Sequence, residues 1–134
     1  HESKLNDFRK AFLSYADSVL NDNDLEPQLY LDAEIRLFDL NRRFMEFIKK
    51  LGPYGPGNMR PNFFVTNANV IGNPKVIGNG DHIRFQVKQK QSAIDVVGFG
   101  LAHHYQDLIL GVPVDIACIV ETNVWRGKES IQLN

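Results

Sequence analysis

The stretch GPYGPGNMRPNFF, from Gly52 to Phe64, holds three glycines and three prolines in thirteen residues. Because proline fixes φ and glycine tolerates positive φ, neither a helix nor a strand is expected to run through it. The sequence before it has a helical pattern with one strand, and the sequence after it is almost entirely strand-like. We therefore predict a hinge over residues 52–62 that joins two structural units.

The composition is that of an ordinary globular protein, with 134 residues, 43% hydrophobic residues and a net charge of −1. This balance alone does not indicate a nucleic-acid binder. The single cysteine, Cys118, lies among apolar residues, which predicts a buried thiol in a reduced, cytoplasmic protein and excludes a disulfide within the chain. No apolar run is long enough to span a membrane. Because the sequence lacks an initial methionine and ends in a strand-like pattern, we expect it to be part of a longer protein.

Two helices are predicted in the first unit. Apolar residues recur every three or four positions from residue 4 to 21, with Ser3 as the expected N-cap and the run Asn21 to Asp24 as the end. A second helix is predicted from Asn41 to Leu51, and Gly52 suits the position after its C-terminus. The residues expected to face inward on it are Phe44, Phe47, Ile48 and Leu51.

Between these helices, residues 28–37 alternate strictly between apolar and polar, which is typical of a half-buried strand. The apolar positions are Leu29, Leu31, Ala33, Ile35 and Leu37. A single strand has no partner within its own unit, and its backbone groups need hydrogen bonds. We predict that it pairs either with the second unit or with another copy of the chain, which would make a homodimer.

The second unit predicts five strands and one short helix. The strands are expected at residues 63–71, 75–89 (interrupted at Gly78 to Gly80), 93–99, 112–123 and 128–134. The helix is expected from Leu101 to Leu110, between the third and fourth strands, which is the topology of an OB-fold barrel. The predicted fold class is therefore α+β: a helix-strand-helix segment followed by a five-stranded OB-fold-like barrel.

No catalytic or metal-binding constellation stands out in the sequence. His103 and His104 are adjacent, so on a helix they point about 100° apart, and His82 stands alone in a predicted strand. The stretch 52–58 has too many prolines to present the consecutive N–H donors of a phosphate loop. Cys118 lies in an apolar strand, which does not suit a nucleophile. We expect neither catalytic residues nor a metal site in this chain.

A basic strand face is the stronger indication of function. Between His82 and Ile94 the charged side chains are all cationic. Because Ile83, Phe85 and Val87 should fill the barrel, their neighbours Arg84, Gln86 and Lys88 should point outward. An OB fold binds oligonucleotides on this face and in the adjoining loops, with cations along the backbone and rings under the bases. The alternative is that these residues are only a solvated strand face. The cations are Arg84, Lys88, Lys90, Arg126 and Lys128, and the candidate rings are Trp125 and Tyr54.

Three segments resemble the RecJ family of bacterial single-strand-specific 5′→3′ exonucleases. The first, GPYGPGN at 52–58 followed by Arg60-Pro61 and Phe63-Phe64, is similar to the family's PFGxGNxxPxF segment. The second is Ala93-Ile94 with Gly98-Phe99-Gly100. The third runs from Val114-Asp115-Ile116-Ala117 through Asn123, Trp125 and Gly127 to Gln132-Leu133. The chain departs from the family at Arg126, where asparagine is usual, and at Cys118, where tyrosine is frequent.

The resemblance implies a noncatalytic C-terminal piece: residues 1–51 as the end of a DHHA1-type domain, 52–62 as the hinge and 63–134 as the OB-fold domain. In the family, the parent enzyme acts in DNA repair and recombination and hydrolyses phosphodiester bonds with Mn²⁺ or Mg²⁺. The family's catalytic motifs lie upstream of this sequence. The expected partners are single-stranded DNA and the catalytic domains of the same chain. The expected nucleic-acid-binding residues are the five cations, the two rings and Arg60.

Two other interpretations remain open. The barrel could serve mainly to pack against the catalytic core or a partner protein and contact DNA weakly. The parent could also be another DHH-family phosphoesterase that acts on small nucleotides, although an OB domain argues against this. Salt dependence separates DNA binding from packing, because phosphate contacts give a negative slope of log K on log salt.

Overall fold

The computed structural model describes residues 4–134, and the predicted N-cap Ser3 lies outside them. They divide into two units, one up to Tyr30 and one from Leu31 to Asn134. The first unit contains helix α1 (Leu5–Val19), as predicted, and every residue of α1 is at least partly exposed. No helix in residues 4–134 has the length and apolar character that crossing a membrane requires.

The run Asn21 to Asp24 was expected only to end the first helix, but it also begins a second one, α2 (Asp22–Leu25). The Asn21 side chain accepts hydrogen bonds from the backbone N–H groups of Asn23 and Asp24, at 3.0 and 3.3 Å. The Asp24 carboxylate accepts one from the backbone N–H of Asn21 at 3.0 Å. This reciprocal capping box satisfies N–H groups that a helix start leaves without partners, so the short helix is stabilised locally.

The strand predicted over residues 28–37 is wrong in extent. Only β1 (Ala33–Glu34) is a strand, and a 3-10 turn (Leu37–Asp39) follows it. β1 pairs in parallel with the start of the first barrel strand, Ala33 opposite Phe63 and Glu34 opposite Phe64. The predicted pairing with the barrel is therefore confirmed. Of the five residues expected inward, Ile35 and Leu37 are buried, whereas Leu29, Leu31 and Ala33 are exposed.

Helix α3 (Arg42–Lys50) confirms the second predicted helix, with the Asn41 side chain accepting a hydrogen bond from the N–H of Phe44 at its start. Its buried residues are Met45 and Ile48. Phe47 and Leu51 were expected to face inward but are exposed. The face of the helix that packs runs through Met45 and Ile48, with Phe44 half-buried beside them. The helix belongs to the same unit as the barrel, and its buried residues join the barrel's core.

The remaining strands form a curled sheet with the topology of an OB-fold barrel. They are β2 (Phe63–Ile77), β3 (His82–Gln89), β4 (Ser92–Gly98), β5 (Val114–Cys118), β6 (Val120–Trp125) and β7 (Lys128–Leu133). β3 pairs antiparallel with both β2 and β4. β4 pairs in parallel with β7, and β7 pairs antiparallel with β6. β5 returns to pair with the first part of β2. The predicted five-stranded fold is confirmed, because β5 and β6 together occupy the place of one strand.

Two predicted boundaries are corrected. Residues 75–77 were assigned to the second strand and residues 72–74 to neither, but all six are the end of β2, and the hairpin turn lies at 78–81. Gly78, Asn79 and Gly80 all have positive φ there, which suits a tight turn and ends the first strand. The helix expected from Leu101 to Leu110 consists of a 3-10 turn (Ala102–His104) and a shorter helix α4 (Tyr105–Ile109).

The barrel core confirms the alternation that the sequence predicts for β3. Ile83, Phe85 and Val87 are buried, and the residues between them are exposed. Cys118 is also buried, and burial raises the pKa of its thiol to about 11. Gln89 connects the core to the 3-10 turn, because its side-chain oxygen accepts a hydrogen bond from the N–H of Leu37 at 2.9 Å and its amide donates to the carbonyl of Thr66.

Two leucines of the corrected segment provide a matched test of this placement. Leu37 is 1% exposed and Leu29 is 65% exposed. We expect Leu37→Ala to lower the free energy of unfolding by about 2–5 kcal/mol, because it leaves a cavity in the core. Leu29→Ala should change it by less than about 0.5 kcal/mol. Denaturant titrations followed by circular dichroism measure both free energies. Equal effects of the two substitutions would contradict the buried position of Leu37 and the exposed position of Leu29.

Candidate nucleic-acid interface

A surface groove of about 340 Å³ lies across four strands of the barrel, and we call it the Trp125 groove. Trp125 is 68% exposed, so its ring is available to a ligand. The groove combines one aromatic ring, two cations, one carboxylate and two neutral polar side chains. Its lining residues are Arg84, Asp95, Asn123, Trp125, Lys128 and Ser130.

Strand order and strand period together bring these residues to one place. The sheet runs β3-β4-β7-β6, so Arg84 on β3 and Trp125 on β6 lie on strands that are three places apart. The β6–β7 hairpin places Trp125 opposite Lys128 and Asn123 opposite Ser130. Successive side chains on a strand alternate between faces, so residues two apart share a face. This explains why positions 123 and 125, and positions 128 and 130, line the same groove.

Asp95 modifies the basic face that the sequence predicts. Arg84 lies 2.8 Å from one carboxylate oxygen of Asp95, and the Gln86 amide donates a hydrogen bond of 2.7 Å to the other. Partial burial by itself disfavours the charged form of Asp95. The hydrogen bonds from Arg84 and Gln86 and the charge of Arg84 together outweigh it, so the pKa of Asp95 lies below its ordinary value of 3.8. The acid lies just past the run of cations from 84 to 90, which is why counting charges within that run did not include it.

A second groove of about 270 Å³ adjoins the first, and we call it the Lys75 groove. It shares Arg84 and Asp95 with the Trp125 groove, so the ion pair lies where the two meet. Gly72 has a φ of +67° beside a shift in the β2–β3 register between Ile71 and Lys75, which marks a bulge in this wall. Together the two grooves form a track across the outer face of the barrel.

The other predicted cations occupy different surroundings. Arg126 lies in the β6–β7 turn, with its guanidinium carbon 5.8 Å from the centre of the Trp125 ring. Lys90 lies in the β3–β4 turn, with its ammonium 5.2 Å from the centre of the Phe38 ring. Lys88 is exposed on β3 but lines neither groove. Among residues 4–134, no carboxylate forms an ion pair with any of these three cations.

Tyr54 and Arg60 lie apart from the Trp125 groove. The Tyr54 hydroxyl donates a hydrogen bond to the carbonyl of Ile48, and its half-buried ring packs against the core. Arg60 forms an ion pair with Glu121, and its guanidinium carbon is 5.9 Å from the centre of the Tyr54 ring. Both side chains are thus engaged in contacts within the protein.

Several groove residues were absent from the predicted set, among them Lys75, Asp95, Asn123 and Ser130. The period-two pattern could have found two of them, because Asn123 precedes Trp125 by two residues and Ser130 follows Lys128 by two. Asp95 could not be found in this way, since its place beside Arg84 depends on the register of β3 with β4. Lys75 depends on the hairpin turn between β2 and β3, which places it on β2 rather than on the strand predicted to begin there.

Two of the described histidines, His82 and His104, make local contacts. The Nδ1 atom of His82 accepts a hydrogen bond from the N–H of Gly100 at 3.1 Å, and the Nδ1 atom of His104 lies 2.9 Å from the Asp107 carboxylate. Within residues 4–134, no three His, Cys, Asp or Glu side chains are grouped so that they could hold a metal ion. The described residues therefore do not fit a metal centre.

Comparison with known proteins confirms the resemblance to RecJ. A profile of the RecJ OB domain matches residues 31–134. The single-stranded-DNA-specific exonuclease RecJ of Bacillus subtilis (strain 168) is 24% identical over 127 residues, which are 95% of this chain and 16% of that protein. The crystal structure of RecJ in complex with Mg²⁺ from Thermus thermophilus matches with a TM-score of 0.72 and 24% identity, over 99% of this chain and 20% of that one. The chain thus spans less than a quarter of either relative's length, and the structural match shows a shared fold.

The ion pair at the junction of the grooves predicts a pKa change that can be measured. We expect Arg84→Gln to raise the pKa of Asp95 back toward its ordinary value, because the charge that favours the carboxylate is removed. Since the folded-state pKa is lowered, the pair stabilises the fold above pH 3.8, and this contribution is lost as the pH falls through the folded-state pKa. Carbon-13 NMR titration of the side-chain carboxyl group measures the pKa directly.

The matched control for this titration is Arg42→Gln, which breaks an ion pair with Glu46 on helix α3 and should leave Asp95 unchanged. An Asp95 pKa that is the same in wild type and in Arg84→Gln would contradict the described ion pair.

Proposed function

The chain belongs to the RecJ OB domain family, and we propose that it is a noncatalytic, single-stranded-DNA-binding segment of a RecJ-type exonuclease. The Bacillus subtilis relative is a single-stranded-DNA-specific exonuclease, which supports the choice of ligand. The observation that carries the proposal is the exposed ring of Trp125 in one groove with Arg84 and Lys128.

This combination is typical of proteins that bind single-stranded nucleic acid through base stacking and positive charge rather than through a defined sequence. An exposed ring offers a stacking surface to any base, and base stacking contributes roughly 1–3 kcal/mol per base. Cations along the same groove attract the phosphates and release counterions. The Arg126 guanidinium carbon lies 5.8 Å from the centre of the Trp125 ring and so adds positive charge near it. In the proposed complex, one base lies on Trp125 while the backbone passes Lys128 and Arg126 and continues toward Lys75.

The predicted cations outside the grooves extend this surface. Lys88 and Lys90 follow Arg84 along β3 and its turn, and we propose that they contact phosphates beyond the groove. Arg60 and Tyr54 are proposed to contribute less, since Arg60 is paired with Glu121 and the Tyr54 hydroxyl is bonded to the Ile48 carbonyl.

The role of the segment would be to hold the strand so that its 5′ end reaches an active site outside these 134 residues. We propose that the parent protein hydrolyses phosphodiester bonds in DNA repair and recombination with Mg²⁺ or Mn²⁺, the former being the ion in the complex of RecJ from Thermus thermophilus. The sequence predicts that residues 1–51 end a DHHA1-type domain, 52–62 form a hinge and 63–134 form the OB domain. Because the OB-domain profile and the barrel unit both begin at Leu31, we propose residues 31–134 as the DNA-binding OB domain and residues 1–30 as the end of the preceding domain.

The salt dependence of binding tests this function. We expect the triple variant Lys75→Ala, Arg126→Ala, Lys128→Ala to flatten the slope of log K against log salt by roughly 2, since each phosphate contact on a single strand contributes about 0.7. Fluorescence anisotropy of a labelled oligonucleotide at several salt concentrations gives the slope. Thermal melts establish that the variant is folded.

The matched control removes the same charge from the first unit, by changing Lys4, Arg9 and Lys10 to Ala, and should leave the slope unchanged. An unaltered affinity and slope in the folded groove variant would favour the alternative, in which the barrel packs on the catalytic core or a partner protein.

A further inference from the structure

Asp95 is an unexpected residue at the centre of a surface that we propose binds a polyanion. Its carboxylate lines both grooves and is 27% exposed, so a ligand in either groove can reach it. A carboxylate repels phosphate, and a residue with no other role at this position would weaken binding. The position instead suits a group that accepts hydrogen bonds from a base.

The hydrogen bonds around Asp95 leave part of its acceptor capacity unused. One oxygen accepts from Arg84 at 2.8 Å and the other accepts from Gln86 at 2.7 Å. An ionised carboxylate offers about four lone-pair positions, two on each oxygen. Each oxygen can therefore take one more donor. The two bonds that are present also fix the orientation of the carboxylate, so those remaining positions are held in place.

The rest of the Trp125 groove defines where a donor would come from. A base stacked on Trp125 would lie in the groove that Asp95, Asn123 and Arg84 also line. A volume of about 340 Å³ is at the small end of ligand sites, which suits a single base. Asn123 and Arg84 both carry N–H donors, so they complement acceptor atoms on such a base.

We propose that Asp95 reads the exocyclic amine of the base stacked on Trp125, so that the groove prefers cytosine and adenine over thymine and uracil. The inference rests on the proposed single-stranded-DNA binding and adds a base preference to it. A carboxylate accepts from the amine at C4 of cytosine. Uracil and thymine carry a carbonyl oxygen at that position, which has no hydrogen to donate and is repelled by the negative charge.

The test compares two labelled oligonucleotides of equal length, one of deoxycytidine and one of deoxyuridine. These bases have the same ring size and differ at the C4 edge without the methyl group of thymine, so the stacking surface is matched. We expect the wild-type protein to bind the cytosine oligonucleotide about tenfold more tightly, the effect of one hydrogen bond to a charged group. Fluorescence anisotropy at constant salt and pH 7 measures both affinities.

Asp95→Asn separates base reading from a simple charge effect. If Asp95 reads the base, the ratio of the two affinities in Asp95→Asn falls toward one, because the amide can turn to present either a donor or an acceptor. If Asp95 only repels phosphate, its neutralisation strengthens binding of both oligonucleotides and leaves their ratio unchanged, and the inference is then wrong. Asp107→Asn removes the same charge from helix α4, outside the groove, and should leave the ratio at its wild-type value.

The outcomes distinguish this inference from the proposed function. Tight but equal binding of the two oligonucleotides by the wild-type protein overturns the base preference and leaves the proposed DNA binding intact. Binding of neither oligonucleotide overturns the proposed function and the preference with it. The wild-type ratio is informative without any variant, so the test does not depend on the folding of Asp95→Asn.

Discussion

The parallel pairing of β4 with β7 is the constraint on which the candidate site depends. Asp95 lies opposite Gln132 and Val96 lies opposite Leu133, which is fully buried. This contact is non-local, and it places the whole β6–β7 hairpin beside β4. Because that hairpin carries Trp125, the pairing brings the exposed ring into one groove with the ion pair of Arg84 and Asp95. Without it, the ring and the ion pair would belong to separate hairpins.

The ion pair itself matters more for the chemistry of the groove than for the stability of the fold. The Arg84 and Asp95 side chains are 50% and 27% exposed, and pairs of this kind contribute little to the free energy of unfolding. Their effect on a ligand is larger, since Arg84 supplies a donor and Asp95 an acceptor within one small site. The same groove can therefore attract a phosphate backbone and discriminate among bases.

The sequence predicted what depends on local pattern. Strict alternation identified the buried face of β3, and the turn and helix signals gave the order of elements in the barrel. It failed where long-range packing decides. Residues 28–37 alternate as a strand does, but only Ala33 and Glu34 form a strand paired with β2. A 3-10 turn begins at Leu37, whose N–H donates a hydrogen bond to the Gln89 side chain. Charge counting along the chain likewise missed Asp95, because the neighbours of a side chain on a sheet come from other strands.

The most direct measurement of the central claim uses Trp125, which is the only tryptophan in the chain. Its fluorescence reports on the groove alone, so a single-stranded oligonucleotide that stacks on the ring should quench it. We expect the quenching to saturate at the same concentration as the anisotropy of the labelled oligonucleotide and to weaken as salt is raised. DNA binding that leaves the fluorescence of Trp125 unchanged would contradict the placement of the strand in this groove.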